Sequence, residues 1–206
     1  VEPDDMIEKF GADTTRFFIL FAAPPEKDLD WSDTGVEGAF RFLNKVWKIV
    51  VANKDLFFQD LEFDESELVR KIRRKTHRTI KKVTEEIEER MHFNTALSAL
   101  MELYNELSDH EDELRKTEGG KAALREGLEA LIQLLSPFTP HICEELWEKT
   151  GHKGLLSLAP WPSYDEKLIE EERVVVVIQV NGKVRGKIEV EKGAPEEKEK
   201  EIACLL

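Results

Sequence analysis

The sequence predicts a mainly α-helical protein, in which an antiparallel helical bundle is followed by a small α+β piece with a β-hairpin. Through most of the first 150 residues, apolar residues recur at intervals of three and four, the spacing of amphipathic helices. The connections between these segments are mostly short, as is typical of antiparallel neighbours. From Arg173 the pattern changes to β-branched runs on either side of Asn181-Gly182, a strong signal for a hairpin.

Length and composition favour a soluble globular protein. The 206 residues suffice for one ordinary domain and a smaller one, with 41% hydrophobic and 35% charged residues. The sequence has neither an apolar run that could cross a bilayer nor a secretory leader, so we expect no membrane association and a cytoplasmic location. Cys143 and Cys204 form no Cys-x-x-Cys pair, which predicts two reduced, packed thiols.

The N-terminal segment predicts two short helices. Pro3 opens the first and Gly11 ends it. We expect Asp13 to cap the second, which runs through "TTRFFILFAA" until Pro24-Pro25 ends it. This second helix is too apolar to be exposed to water, so it must pack on the bundle or on a neighbouring domain.

The bundle begins with a long helix and continues with two more. An apolar stripe on the first comprises Val36, Phe40, Leu43, Trp47 and Val50. The next helix is predicted from about Glu65 to about Arg90. Asn94 is expected to cap a third helix that continues through Leu107, with "SDHEDELRKTEGG" as the connector that follows.

Two further helices complete the predicted bundle. One carries Leu124, Leu128, Leu131 and Leu135, and "SPFTP" then breaks the chain. Pro140 starts the other helix and Gly151 closes it. Beyond them we expect a Pro-containing linker that wraps on the bundle, then the hairpin and a short helix from about Pro195 to Leu206.

No residue pattern announces a catalytic site. The five histidines are scattered, and no P-loop, GxGxxG or nucleophile-elbow motif is present. His141 and Cys143 are two residues apart on a predicted helix, so they fall on different faces and are not expected to share a metal. The chain itself is therefore expected to catalyse nothing and to hold no cofactor.

A cluster of basic residues is the better functional lead. Eight basic residues and no acidic one lie between Arg70 and Lys82, and positions 70, 73, 74, 77, 78 and 81 share one helical face. Such a stripe fits a phosphate backbone. The alternative is a solvated face that Glu85, Glu86, Glu88 and Glu89 balance one turn later. The candidate binding residues are Arg70, Arg73, Arg74, Arg78 and Lys81.

The predicted hairpin repeats this basic pattern on a strand. Lys183, Arg185 and Lys187 share one face by the period of two, so we expect them to contact nucleic acid as well. The opposite face, with Val184, Ile188 and Val190, is expected to pack on the helix after Pro195. Alternatively, the positive charges protect an edge strand against aggregation.

Several segments resemble bacterial leucyl-tRNA synthetases, which are class Ia aminoacyl-tRNA synthetases. "PDDMIEKFGADTTRFFILFAAPPEKDLDWSDTGVEGAFRFLNKVW" resembles the segment that follows their KMSKS signature. "HFNTALSALMELYNEL", "LLSPFTPHICEELW" and "APWPSYDEK" resemble their anticodon-binding bundle, and "VVVVIQVNGKVRGKI" resembles the start of their C-terminal domain. The GAD-T-x-R and SPF-x-P elements also occur in the valyl and isoleucyl relatives.

The resemblance implies a domain organisation and partners. Residues 1–33 would connect to the catalytic domain, 34–150 would form the anticodon-binding bundle, 151–172 a linker, and 173–206 a partial C-terminal tRNA-binding domain. The partners would be tRNA(Leu) and the catalytic domain of the same enzyme. The parent would use ATP and magnesium to activate leucine, but neither HIGH nor KMSKS occurs here, so this chain alone is expected to be inactive.

Two other interpretations remain open. The chain could be a fragment of a valyl- or isoleucyl-tRNA synthetase, because several of its elements are shared with those enzymes. It could also be a non-catalytic helical bundle whose basic stripe binds an acidic protein. Binding of tRNA with a steep salt dependence separates a nucleic-acid-binding role from a protein-binding one.

Overall fold

The computed structural model describes residues 3–22 and 33–170, together with the backbone of residues 173–180 and 183–191. Two compact units divide the chain, one of residues 1–165 and one of residues 166–206. The described part is mainly helical, as predicted. The helices of the first unit are α1 (Pro3–Phe10), α2 (Ala12–Ala22), α3 (Asp33–Ala52), α4 (Glu67–Glu85), α5 (Phe93–Leu114), α6 (Glu118–Leu135) and α7 (Pro140–Lys149).

The second unit contains a short helix and two strands. Helix α8 spans Glu166–Ile169, and strands β1 (Arg173–Val180) and β2 (Lys183–Glu191) pair antiparallel. The register is interrupted between Ile178 and Gln179. The turn predicted at Asn181-Gly182 and the helix predicted from Pro195 lie outside the described residues.

Helices α4, α5 and α6 pack on one another and form the centre of the first unit. Lys71 pairs with Glu106, and Lys75, one turn later on α4, pairs with Glu102, one turn earlier on α5. The two helices are therefore antiparallel. The four leucines predicted to face inward on α6 are all fully buried, namely Leu124, Leu128, Leu131 and Leu135.

Gly127 lets α6 approach α5 closely. A Cβ atom at this position would lie 2.6 Å from Cδ2 of Leu107, a side chain that is fully buried. Such a distance is shorter than a carbon–carbon contact permits, so the packing of these helices depends on the absence of a side chain. The glycine was not singled out by the sequence pattern, because its role depends on a residue of another helix.

The N-terminal helices follow the prediction closely. Gly11 ends α1 with a φ of 86°, the left-handed conformation that glycine adopts without strain. Helix α2 buries Phe17 and Phe18 and packs on α3 and α5. Of the two alternatives for this apolar helix, the structure thus supports packing on the bundle.

Two boundaries differ from the predictions around α5. His92, not Asn94, occupies the N-cap position, and its side chain makes no capping hydrogen bond. The helix also continues through most of the predicted connector, because buried Leu114 extends its apolar stripe beyond Leu107. The true connector is only residues 115–117, and the Thr117 side chain caps α6 by accepting a hydrogen bond from Gly120 N at 2.9 Å.

Helices α3 and α4 differ less from their predicted forms. Phe40 is 43% exposed and Trp47 is only partly buried, whereas neighbouring Phe42 and Val46 are buried. The apolar stripe of α3 is therefore wider than the predicted one and rotated, because the helix packs against several elements at once. The helical segment that begins with α4 ends at Arg90 as predicted, but its last turn, Glu86–Arg90, is π-helical.

Candidate nucleic-acid interface

Helix α4 places the basic cluster because one of its faces is apolar. Its N terminus is capped by Ser66, whose Oγ accepts a hydrogen bond from Val69 N at 3.4 Å. Val69, Ile72, Ile80 and Val83 are buried in the core. The basic residues lie on other sides of the helix, and they differ in their surroundings.

On the side of α4 that faces α6, Arg73 and His77 both contact the carboxylate of Glu126. The Arg73 guanidinium donates to Glu126 through Nε at 3.1 Å and Nη2 at 3.3 Å. His77 Nε2 lies 3.3 Å from the same carboxylate, and the His77 side chain is 11% exposed. The guanidinium carbon of Arg73 also lies 3.7 Å from the ring centroid of Phe63. We call Arg73 and His77 the inner edge of α4.

Glu126 is held in its ionised form by these neighbours. Burial alone would raise the pKa of this carboxyl group, but the hydrogen bonds from His77 and Arg73 outweigh burial, so the pKa lies below its ordinary value. The inner edge therefore carries an ion pair that connects α4 to α6.

The side of α4 that faces α5 is also partly neutralised. Lys71 Nζ lies 2.6 Å from Glu106 Oε1, and Lys75 Nζ lies 2.8 Å from Glu102 Oε2. The hydrogen bond from Lys75 lowers the pKa of Glu102. These acids come from another helix, whereas the sequence suggested acids one turn later on α4. One of those, Glu86, pairs with Arg90 at 2.8 Å.

The remaining basic residues lie on the solvent side of α4. Arg70 and Arg78 are exposed, and Arg74 and Lys81 are partly exposed. Within the described part of the chain, neither Arg70 nor Arg74 forms an ion pair, and Arg74 Nε has no hydrogen-bond partner there. Positions 70, 74 and 78 follow one another at intervals of four, so they form a continuous row. We call Arg70, Arg74, Arg78 and Lys81 the outer edge of α4.

Two aromatic residues beside this edge were missed by the sequence analysis. The indole Nε1 of Trp161 donates to Thr84 Oγ1 at 2.8 Å, and Lys81 Nζ lies 5.5 Å from the ring centroid of Tyr164. The backbone N of Asp165 donates to His77 Nδ1 at 2.9 Å. Residues 161–165 thus run antiparallel along α4. The available signal was two aromatic residues within "APWPSY", which a linker between domains does not need.

The predicted site on the hairpin is described only through its backbone. Lys183 and Lys187 lie in β2, opposite Val180 and Val177 of β1. Arg185 lies at the register shift, between Val184 and Gly186. The side chains of all three basic residues are outside the described part, so their shared face stays a prediction.

A second polar cluster joins the N-terminal helices to the bundle. Asp13 accepts hydrogen bonds from His141 N at 3.4 Å and Ile142 N at 2.7 Å, and Oδ1 lies 2.9 Å from His141 Nδ1. Asp13 therefore caps α7, and the prediction that it caps α2 was wrong. Both helix N termini offer unpaired N–H groups, and tertiary packing brings the carboxylate to the second one.

Arg16 completes this cluster from the same helix. Its Nη2 donates to the Pro137 carbonyl at 3.1 Å, and its Nε donates to the Phe138 carbonyl at 3.2 Å. Two motifs that are far apart in the sequence, "GADTTR" and "SPFTP", therefore meet. Arg16 satisfies carbonyl groups in the turn that separates α6 from α7.

Cys143 is fully buried, and burial raises the pKa of its thiol to about 12, which confirms a packed, protonated cysteine. Cys204 lies outside the described residues. In the residues with a described position, no group of three His, Cys, Asp or Glu side chains could hold a metal ion, and no helix could cross a membrane.

The amino-acid sequence matches both a family model and known proteins. The family model for the anticodon-binding domain of tRNA ligase matches residues 69–202. The chain is 48% identical over 205 residues to leucine–tRNA ligase from Geobacter sp. (strain M21), and 47% identical to that from Geotalea daltonii. These alignments include 98% and 96% of this chain but only 24% of each relative, so the chain spans about a quarter of their length.

Two solved structures of aminoacyl-tRNA synthetases are similar to this chain in fold. The LeuRS of Agrobacterium radiobacter K84, determined in a ternary complex with tRNA and LeuAMS, matches the whole chain with a TM-score of 0.86 and 31% identity. The match includes 27% of that protein. Methionyl-tRNA synthetase from Mycobacterium tuberculosis matches 74% of the chain and shares the fold, with a TM-score of 0.61 and 16% identity.

Proposed function

This chain belongs to the family of anticodon-binding domains of tRNA ligases, and from this premise we propose that it is the tRNA-binding portion of a leucine–tRNA ligase. The observation that carries the proposal is the identity with leucine–tRNA ligases along almost the entire chain. Valyl and isoleucyl enzymes share some of its motifs, but the two relatives described above, at 48% and 47% identity, are leucine enzymes. The parent enzyme would activate leucine with ATP and magnesium and transfer it to tRNA(Leu).

The outer edge of α4 is the proposed contact with the tRNA backbone. Arg70 and Arg78 are exposed, Arg74 is partly exposed and forms no ion pair among the described residues, and the three arginines follow one another along one row. Phosphate groups provide the complementary charge, and arginine can bind them with two hydrogen bonds. The net charge of −13 disfavours non-specific adhesion to RNA, so a local basic row gives the complex an orientation.

Arg73 has a structural role in this proposal. The sequence suggested that it contacts tRNA, but its guanidinium is engaged by Glu126 and Phe63. Moving it to a phosphate would leave Glu126 with only His77 as a hydrogen-bond partner among these residues. We therefore assign tRNA contacts to Arg70, Arg74, Arg78 and Lys81, and assign the connection between α4 and α6 to Arg73.

The remaining parts of the chain are assigned as the sequence suggested. Residues 1–33 face the catalytic domain of the same enzyme, to which exposed Ile7, Ile19 and Phe21 offer an apolar surface. Residues 34–150 form the bundle and residues 151–172 a linker beside it. Residues 173–206 form part of a C-terminal domain, whose Lys183, Arg185 and Lys187 contact the tRNA.

Catalysis is assigned to the part of the parent enzyme that this chain does not contain. Neither HIGH nor KMSKS occurs in the sequence, so no residue here can be given the role of binding ATP. The purified chain is expected to show no leucine-dependent exchange of pyrophosphate into ATP. Exchange above the background of a buffer control would contradict this assignment.

The specific proposal is tested by competition between tRNA transcripts. A labelled tRNA(Leu) transcript bound to the chain is challenged with unlabelled tRNA(Leu), tRNA(Val) or tRNA(Ile) at 0.1 M salt. We expect tRNA(Leu) to compete best. A better competitor among the other two would identify a valyl or isoleucyl fragment, and no binding of any tRNA would favour the protein-interaction bundle.

A further inference from the structure

Beside the C-terminal end of α4 lies a cleft that is lined by none of the outer-edge residues. It has a volume of about 310 Å³, near the lower end of the range for pockets that hold small ligands. Its apolar lining includes Pro137, Leu156, Ala159 and Trp161, and its polar lining includes Ser136 and Glu144. Trp161 is 40% exposed although it is a large aromatic residue.

The indole of Trp161, which lines this cleft, is held in place by a hydrogen bond. Its N–H is hydrogen-bonded to Thr84, so the orientation of the ring is fixed by α4. Thr84 follows Lys81 by three residues, which places the indole about one helical turn from the outer edge. A cation and a fixed aromatic ring at this separation match the phosphate and the base of one nucleotide.

The cleft and the outer edge of α4 differ in charge. Glu144 lines the cleft, and its two carboxylate oxygens accept hydrogen bonds from Leu156 N at 2.8 Å and Ser157 N at 2.9 Å. An ionised carboxylate disfavours a phosphate inside the cleft, whereas Lys81 on α4 attracts one outside it. A neutral, flat group with hydrogen-bond donors fits the cleft better than an anion does.

We propose that this cleft binds one unpaired nucleobase of the tRNA, which stacks on Trp161 while its phosphate lies near Lys81. This inference rests on the proposed tRNA-binding function and adds a base-binding site to it. Stacking on an aromatic side chain tolerates different bases, so the site recognises an unstacked nucleotide rather than a sequence. Double-stranded RNA, which has no unpaired base, would bind the outer edge but not the cleft.

The test compares two variants of Trp161 on two RNAs. The Trp161→Leu change removes the flat ring, and Trp161→Phe retains one. The matched control is Leu158→Ala on the same segment, where the side chain is 82% exposed. Affinity is measured for a tRNA(Leu) transcript and for a fully paired RNA duplex, and a circular dichroism melt of each variant reports its fold.

We expect Trp161→Leu to weaken tRNA binding roughly tenfold and to leave duplex binding within about twofold, because only an unpaired base stacks. Trp161→Phe should retain most of the affinity, and Leu158→Ala all of it. Because Trp161→Leu changes no charge, the salt dependence should stay the same.

Two results would overturn the base-binding site. One is unchanged tRNA affinity in Trp161→Leu, and the other is an equal loss of affinity for tRNA and duplex. If Trp161→Leu fails to fold, tryptophan emission decides instead. In the wild type, tRNA but not the duplex should quench this emission, and the quenching should disappear in Trp161→Phe. Absence of this quenching in the wild type would also overturn the base-binding site. A wild-type chain that binds no tRNA would instead contradict the proposed function itself.

Discussion

The inner and outer edges of α4 are built from the same kinds of residue but differ in what surrounds them. Arg73, on the inner edge, is bonded to Glu126 of α6 and covers Phe63. Arg74, the next residue, lies on the outer edge and has no ion pair among the described residues. A rotation of about 100° around one helix thus separates an arginine that is bonded to a neighbouring helix from one that is not.

The largest effect that this comparison predicts is on stability. Replacing Glu126 with Gln removes the charge that Arg73 and His77 share, in a site that is only partly exposed. Hydrogen bonds to charged groups contribute about 1.5–3 kcal/mol, so the free energy of unfolding should fall by roughly 2 kcal/mol. Urea unfolding followed by circular dichroism measures the change, which corresponds to a drop of about 4–8 °C in Tm.

The matched control is Glu145→Gln on α7. Glu145 forms a single exposed pair with Lys149, at 3.0 Å, and such pairs contribute at most about 1 kcal/mol. Its substitution should change stability by less than half as much. Equal effects of the two substitutions would show that the inner edge is no more structural than an ordinary surface pair.

A smaller effect is expected at the corner where α2 meets α7. The Asp13→Ala change removes the acceptor for two backbone N–H groups of α7, and losing such a cap costs about 1 kcal/mol. Thermal unfolding gives the measurement, with Asp4→Ala on α1, an exposed position, as the control. No difference between Asp13→Ala and Asp4→Ala would mean that the carboxylate does not cap α7.

The smallest effect is a pH dependence of the inner edge. Because the pKa of Glu126 in the folded protein lies below its ordinary value of 4.5, the stabilisation is complete above that value and is lost as the pH falls through the lowered pKa. Arg73 and His77 face this carboxyl group. The difference in unfolding free energy between wild type and Glu126→Gln should therefore be constant above about pH 5.5 and shrink below 4.5. A difference that grows on acidification would have the wrong sign.

Much of the fold could be predicted because its signals are local. The buried leucines of α6 follow from helical spacing, and Gly11 ends α1 through its own conformational freedom. Asp13 could not be assigned in this way. Its nearest N terminus along the chain is that of α2, and only the packed structure brings it to α7.

The candidate site, like the fold, could be predicted from the sequence only in part. Counting charges located the basic cluster on α4, but the partners that divide it into two edges come from α5 and α6. Trp161 was assigned to a linker because nothing in "APWPSY" indicates that its indole bonds to Thr84, 77 residues earlier. Sequence patterns therefore find residues that act through their own helix, and they miss those that act through a distant one.

The salt dependence of tRNA binding tests most directly whether the two edges differ in function. The double variant Arg70→Gln/Arg74→Gln is compared with Arg73→Gln by measuring the tRNA(Leu) affinity between 0.05 and 0.2 M salt, roughly the range over which phosphate contacts dominate affinity. We predict that the double variant flattens the slope by about two units, one for each lost phosphate contact, while Arg73→Gln changes the slope by less than about half a unit. A slope that is unchanged in the double variant, or one that flattens equally in Arg73→Gln, would contradict the assignment of tRNA binding to the outer edge.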